Sequence, residues 1–163
     1  MTQTASTIRR LAVLLGAALV AVLLLSVAAS AATRALAVTK TVPTGGATEV
    51  SRTANVKAYF NHNMKASTIT SSTFKIRKQG TTRWLRASRS VNNTISPTSA
   101  NGNSQSVAKL NPDAKLDANT TYQVRIVGGS SGVKDVNGHA LSENKSWTFK
   151  TITPCRSRII VCG

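Results

Sequence analysis

Gly128-Gly129-Ser130-Ser131-Gly132 has the G-x-S-x-G spacing of a hydrolase nucleophile elbow, and it follows an alternating apolar segment. That chemistry needs a sharp strand-to-helix turn with the serine at the helix start and a histidine within reach. The next residues, Val133-Lys134-Asp135-Val136-Asn137-Gly138, read as a second turn, so a loop of small residues is expected rather than an elbow. His62 and His139 are far apart in sequence and each falls in a predicted turn, which makes them solvated side chains in expectation. A calcium loop with Asp135, Asn137 and Gly138 at its third, fifth and sixth positions would place Val133 first and Asn144 twelfth, where carboxylates are needed. The only carboxylates are Glu49, Asp113, Asp117, Asp135 and Glu143. The three aspartates sit at predicted turns, where hydrogen bonding to the turn backbone is the expected task rather than paired glycosidase chemistry. Two cysteines, Cys155 and Cys162, are too few for a four-cysteine zinc site. In an exported protein they can form a disulfide, with each other or between chains. No catalytic residue, metal or cofactor is expected, and the chain reads as a non-enzyme.

The strongest chemical signal is charge. The 163 residues hold 21 Lys+Arg against 5 Asp+Glu, a formal net charge of +16, which points to an anionic partner. Aromatic residues are 4% of the chain, too sparse for a base-stacking reader of single strands. No motif for sequence-specific nucleic-acid binding is present.

Residues 1–37 read as a leader. Arg9 and Arg10 flank the apolar run from Leu11 to Val27, and Ala29-Ser30-Ala31 and Ala35-Leu36-Ala37 offer two A-x-A cleavage sites. The run is also long enough for an uncleaved anchor, so membrane association is expected only if the leader stays. Arg9-Arg10 raises twin-arginine export as a lesser option beside the general secretory route. Removing residues 1–37 leaves 18 basic and 5 acidic residues, a charge of +13.

The remaining chain alternates with period two in short runs. Val56, Ala58 and Phe60 share one face, as do Phe74 and Ile76, Tyr122, Val124 and Ile126, and Trp147 and Phe149. Val38–Val42, Arg83–Val91 and Ser106–Leu110 are weaker strand candidates, seven strands in all. Turn signals separate them, at Pro43-Thr44-Gly45-Gly46, Gln79-Gly80, Asn111-Pro112-Asp113 and Asn137-Gly138. Residues 92–105 read as a long polar loop, and only 63–69 could hold a helical turn. No strand–helix–strand rhythm appears, so the expected fold is all-β, an Ig-like two-sheet antiparallel sandwich.

Several segments then line up in order. Val42-Pro43-Thr44-Gly45-Gly46-Ala47, Phe60-Asn61-His62-Asn63-Met64-Lys65, Leu116-Asp117-Ala118-Asn119-Thr120-Thr121-Tyr122, Asp135-Val136-Asn137-Gly138-His139-Ala140-Leu141 and Trp147-Thr148-Phe149-Lys150-Thr151 match successive motifs of one family. Over residues 38–151 the chain resembles a bacterial Ig-like domain of the type found in S-layer and other surface proteins, the SbsA type. The resemblance implies a bacterial source, in which the N-x-S/T sequons at Asn92, Asn119 and Asn144 are chance matches. Where the family carries acids near the methionine turn, this chain has Asn61, His62, Asn63 and Lys65, so no cation-binding role carries over. The division expected is leader 1–37, Ig-like domain 38–151, and a tail 152–163 with the two cysteines.

Within a sandwich, Tyr122 is expected to send its hydroxyl to upstream backbone, and Trp147 and Phe149 to fill the space between the sheets. Lys75, Arg77, Arg125 and Lys150 are expected to point outward from strands three, six and seven of one sheet; of Arg83, Arg86 and Arg89 some extend that surface, and Arg83 and Arg86 join the candidate site. The function expected is structural or adhesive, at the cell surface or secreted. The alternative is binding of an anionic polymer, such as an envelope glycopolymer, an acidic polysaccharide or extracellular DNA, through that basic face. A hydrolase is the least favoured reading. The partner is then an envelope polymer or a surface protein, and the sequence leaves the oligomeric state open.

Overall fold

Period-two alternation becomes two sheets. The structure, a computed structural model, describes residues 34–96, 98 and 104–153. Its seven strands are β1 (Val38–Val42), β2 (Val56–Phe60), β3 (Phe74–Lys78), β4 (Ala87–Asn92), β5 (Ser106–Pro112), β6 (Thr121–Ile126) and β7 (Lys145–Lys150). All pairings are antiparallel, in a four-stranded sheet of order β1-β2-β5-β4 and a three-stranded sheet of order β3-β6-β7. The one helical turn is the 3-10 segment Ala66–Thr68, inside the stretch expected to hold one.

The strands turn most of their apolar residues to the same interior, with Val42 and Val107 on the outer side. Val56, Ala58 and Phe60 of β2, Ala108 and Leu110 of β5, Phe74 and Ile76 of β3, and Val124 of β6 are wholly inaccessible to solvent. Trp147 and Phe149 complete the layer between the sheets, and the Phe149 ring stacks on Tyr122 at 5.9 Å between centroids. The Tyr122 hydroxyl accepts a 2.8 Å hydrogen bond from the Asp117 backbone N–H, the corner expected from the sequence. Burial raises the phenol's pKa, while the Asp117 backbone bond opposes that shift.

Several boundaries differ from expectation, and β5 runs on through Asn111 and Pro112, residues expected in a turn, because β4 pairs with them. The strand expected at Arg83–Val91 begins only at Ala87. Residues 83–86 cross from one sheet to the other: Leu85 N–H reaches Ile76 O of β3 at 2.8 Å, and Arg86 O then accepts the Asp113 N–H just past the end of β5 at 3.1 Å. At the N-terminal side, Leu36 is a core residue, 4% exposed, although it lies before the expected domain start at Val38. The leader's apolar run and both cysteines lie outside the described residues.

Candidate functional site

β3, β6 and β7 place cations side by side because their outward positions fall in register. Lys75 stands directly opposite Arg125, which stands opposite Ser146; Arg77 stands opposite Gln123, which stands opposite Thr148. Lys150 closes the far end, opposite Thr121. Lys75, Arg77, Arg125 and Lys150 thus share the outer side of one sheet. Like charges directly opposed across strands repel, and this face has no carboxylate to offset them: all five carboxylates lie outside the strands.

Trp84 supplies part of the compensation. The Lys75 ammonium and the Arg77 guanidinium each lie 4.6 Å from its ring centroid, within cation–π range. Arg77 Nε also donates to Gln123 Oε1 at 2.9 Å, fixing its fork along the sheet. The buried Nε of Arg125 has no hydrogen-bond partner among the described residues. Arg83 and Arg86 are exposed where 83–86 passes the β3 edge, and they line a groove with Lys78, Thr81, Trp84 and Leu85. Lys78 itself is committed to Asp117, whose carboxylate raises the ammonium pKa through a hydrogen bond and its charge.

Arg89 stands apart from Arg83 and Arg86. It does not extend the basic face but shares the inner side of β4 with Ala87 and Val91. Its Nε donates to Phe74 O of β3 at 2.5 Å and its Nη1 to Ala87 O at 2.6 Å, strapping the open edges of the two sheets. Burial there lowers the guanidinium pKa, and Asp113 partly opposes the shift. The signal was available, since Arg89 has the parity of Val91. Trp84, absent from the expected site, stood among Arg83, Arg86 and the Lys75-x-Arg77 pair.

The histidines converge: His62, 18% exposed, departs from the expected solvated side chain, whereas His139 is 56% exposed as expected. Asp135, wholly buried, accepts from His62 Nδ1 at 2.9 Å and His139 Nδ1 at 3.0 Å on one carboxylate oxygen. Its other oxygen accepts the backbone N–H groups of Asn137 and His139 at 2.9 and 2.8 Å. Burial pushes the carboxyl pKa up, but hydrogen bonds from both histidines outweigh it and bring it down to about 2. The turn bonding expected of Asp135 is present. The distant link to His62 is new, and it ties the methionine turn to the 133–141 loop, together with the Met64–Asp135 bridge.

Gly128–Gly132 lies on a turn closed by Gly132 N–H to Gly129 O at 2.9 Å. Ser130 is exposed, and no helix follows it among the described residues. The flanking glycines have a steric cause: a Cβ on Gly128 would come within 2.4 Å of the Glu143 backbone, and one on Gly132 within 2.4 Å of Val127 O.

Two antiparallel sheets of orders β1-β2-β5-β4 and β3-β6-β7, packed face to face, define an Ig-like β-sandwich. The chain belongs to the bacterial Ig-like domain family, whose model matches residues 32–151. Among solved structures it is similar to surface layer protein SbsC, domains 1–6, with a TM-score of 0.50 and 20% identity over 76% of this chain. It is also similar to the S-layer protein rSbsC(31–844), with a TM-score of 0.48 and 20% identity over 74% of this chain. The chain spans 14% of each of those longer chains. No protein of curated function matches it.

Proposed function

We propose that this chain is a non-catalytic exported Ig-like module with a structural or adhesive role at the bacterial cell surface or envelope. Its family and its likeness to S-layer structures support that reading. So does the way its reactive residue types are used: the buried carboxylate and both histidines bond one another, and the serine loop is shaped by backbone packing.

A second reading is favoured by a specific observation, the outer face of β3-β6-β7. Its cations stand in register with no carboxylate among them. In this reading Lys75, Arg77, Arg125 and Lys150, with Arg83 and Arg86 at the edge, hold the module on an anionic envelope polymer. Such contacts release counterions, so binding weakens steeply as salt rises and needs no defined ligand geometry.

The test is retention of the protein on its host's envelope fraction across a salt series, beside a Lys75→Glu, Arg77→Glu, Arg125→Glu variant. Retention lost with salt and in the variant makes the basic face the attachment site. Absence of retention in both proteins removes the polymer reading and leaves a module held by a protein partner.

A further inference from the structure

The outer side of the other sheet repeats the same electrostatic pattern. On β1-β2-β5-β4, Lys57 stands directly opposite Lys109, and Lys40 stands opposite Tyr59 in the next row. The row through the lysine pair reads Val42, Lys57, Lys109, Ser90, and the adjoining row reads Lys40, Tyr59, Val107, Asn92. The Lys40 ammonium lies 5.9 Å from the Tyr59 ring centroid. As on the first face, no strand carries an acid, so nothing in the sheet offsets the opposed lysines.

Directly opposed like charges cost a sheet stability. This sandwich carries such a pair at the centre of both outer faces, Lys75–Arg125 on one and Lys57–Lys109 on the other. The sheets pack through their inner sides, so these two faces look in opposite directions. Folding needs neither pair, and an anion laid across either one relieves it. Lysines are point charges without the fixed fork of arginine, so the second face suits a repeating anion rather than one acid group of defined shape.

We propose that the Lys40–Lys57–Lys109 face is a second contact site for an anionic glycopolymer, making the domain a two-sided cross-link between polymer chains. This rests on the polymer reading of the first face and extends it from attachment to bridging.

The experiment uses protein produced from the full chain, with poly(glycerol phosphate) as a phosphodiester probe and polygalacturonate as a carboxylate probe. Duplex DNA forms a third arm. Binding is followed by co-sedimentation and bridging by light scattering across protein-to-polymer ratios. The proteins are wild type, Lys57→Gln/Lys109→Gln, Lys75→Gln/Arg125→Gln and the four-fold variant.

Bridging predicts that wild type scatters strongly at intermediate ratios, and that each double variant still binds but scatters little. The four-fold variant binds more weakly than either double variant. Removing Lys57 and Lys109 also lowers the log-affinity against log-salt slope by about one per lysine. Thermal unfolding separates lost contact from lost fold. Lys57→Gln/Lys109→Gln removes a repulsive pair and unfolds at or above the wild-type temperature. Lys75→Gln/Arg125→Gln, which also loses the Lys75–Trp84 contact, stays near it. Whichever glycopolymer is bridged identifies the acid group. Wild-type scattering by Lys57→Gln/Lys109→Gln overturns the second face and leaves the first intact. Failure of wild type to bind either glycopolymer overturns both readings, and bridging of duplex DNA alone overturns the glycopolymer assignment.

Discussion

Asp135 gathers four hydrogen bonds on one buried carboxylate, two from backbone N–H groups and two from imidazoles. A folded-state pKa lowered from 3.8 to about 2 means that the folded chain binds this proton more weakly than the unfolded chain does. Stability therefore rises with pH through that range. The contribution, about 2 kcal/mol, is complete above the ordinary carboxylate range and is lost as pH falls from 3.8 through about 2. In Asp135→Asn the amide nitrogen must face donors in place of an oxygen, and the expected loss at neutral pH is about 2–4 kcal/mol. Urea unfolding of wild type and variant between pH 7 and pH 2 checks both statements. The wild-type stability falls towards acid pH and the variant's curve is flatter; parallel curves would show that the carboxylate is not held as described. The Lys78–Asp117 pair, by contrast, is half-exposed on both sides and is expected to change stability little when removed.

At the scale of elements, the loop from β6 to β7 is shaped by contacts that leave no room for a side chain. Gly132→Ala would drive a methyl against Val127 O, where the closest approach is 2.4 Å. The neighbour is backbone and cannot swing away, so a cost of about 1–3 kcal/mol is expected. Ser130→Ala, at an exposed position, is expected to stay within about 0.5 kcal/mol of wild type. Chemical denaturation of the two variants ranks them, and a serine change more damaging than the glycine change would contradict the packing account. The same loop shows where sequence reading works. The strands were legible because Val56-Lys57-Ala58-Tyr59-Phe60 and Tyr122-Gln123-Val124-Arg125-Ile126 alternate cleanly, and a buried sheet face enforces that pattern. The cationic outer positions followed from the same parity. The His62–Asp135 contact was not legible, because its partners are 73 residues apart and meet only when two loops dock. Arg89 has the inward parity of Ala87 and Val91. A long side chain at a sheet edge can take its cation to a carbonyl of the facing strand, and Arg89 does so at Phe74.

For the whole molecule, the place where the domain begins decides which form of the protein can fold well. The sequence offers cleavage after Ala31 or after Ala37. Leu36 belongs to the core, and Asn61, itself 7% exposed, is held almost entirely by the segment just before β1. Its Nδ2 donates to Ala35 O at 2.8 Å, its Oδ1 accepts from Ala37 N–H at 2.8 Å, and its own N–H donates to Ala37 O at 3.2 Å. Cutting after Ala37 removes Leu36, worth about 1.5–3 kcal/mol of burial. It also strips Asn61 of partners, and unpaired buried polar groups cost about 1–3 kcal/mol each. Cutting after Ala31 keeps every one of these contacts and coincides with the first residue of the family match, residue 32. If the leader is cut, the mature chain is therefore expected to begin at Ala32, which intact-mass and N-terminal sequencing of material recovered outside the cytoplasm would read directly. Protein starting at Val38 should be less stable than protein starting at Ala32 by about 3 kcal/mol or more. A native terminus at Val38 with undiminished stability would mean that Leu36 and the Asn61 bonds contribute nothing to the folded state. An intact leader on membrane-bound protein would instead identify the apolar run as an anchor, with this same segment joining it to the sandwich.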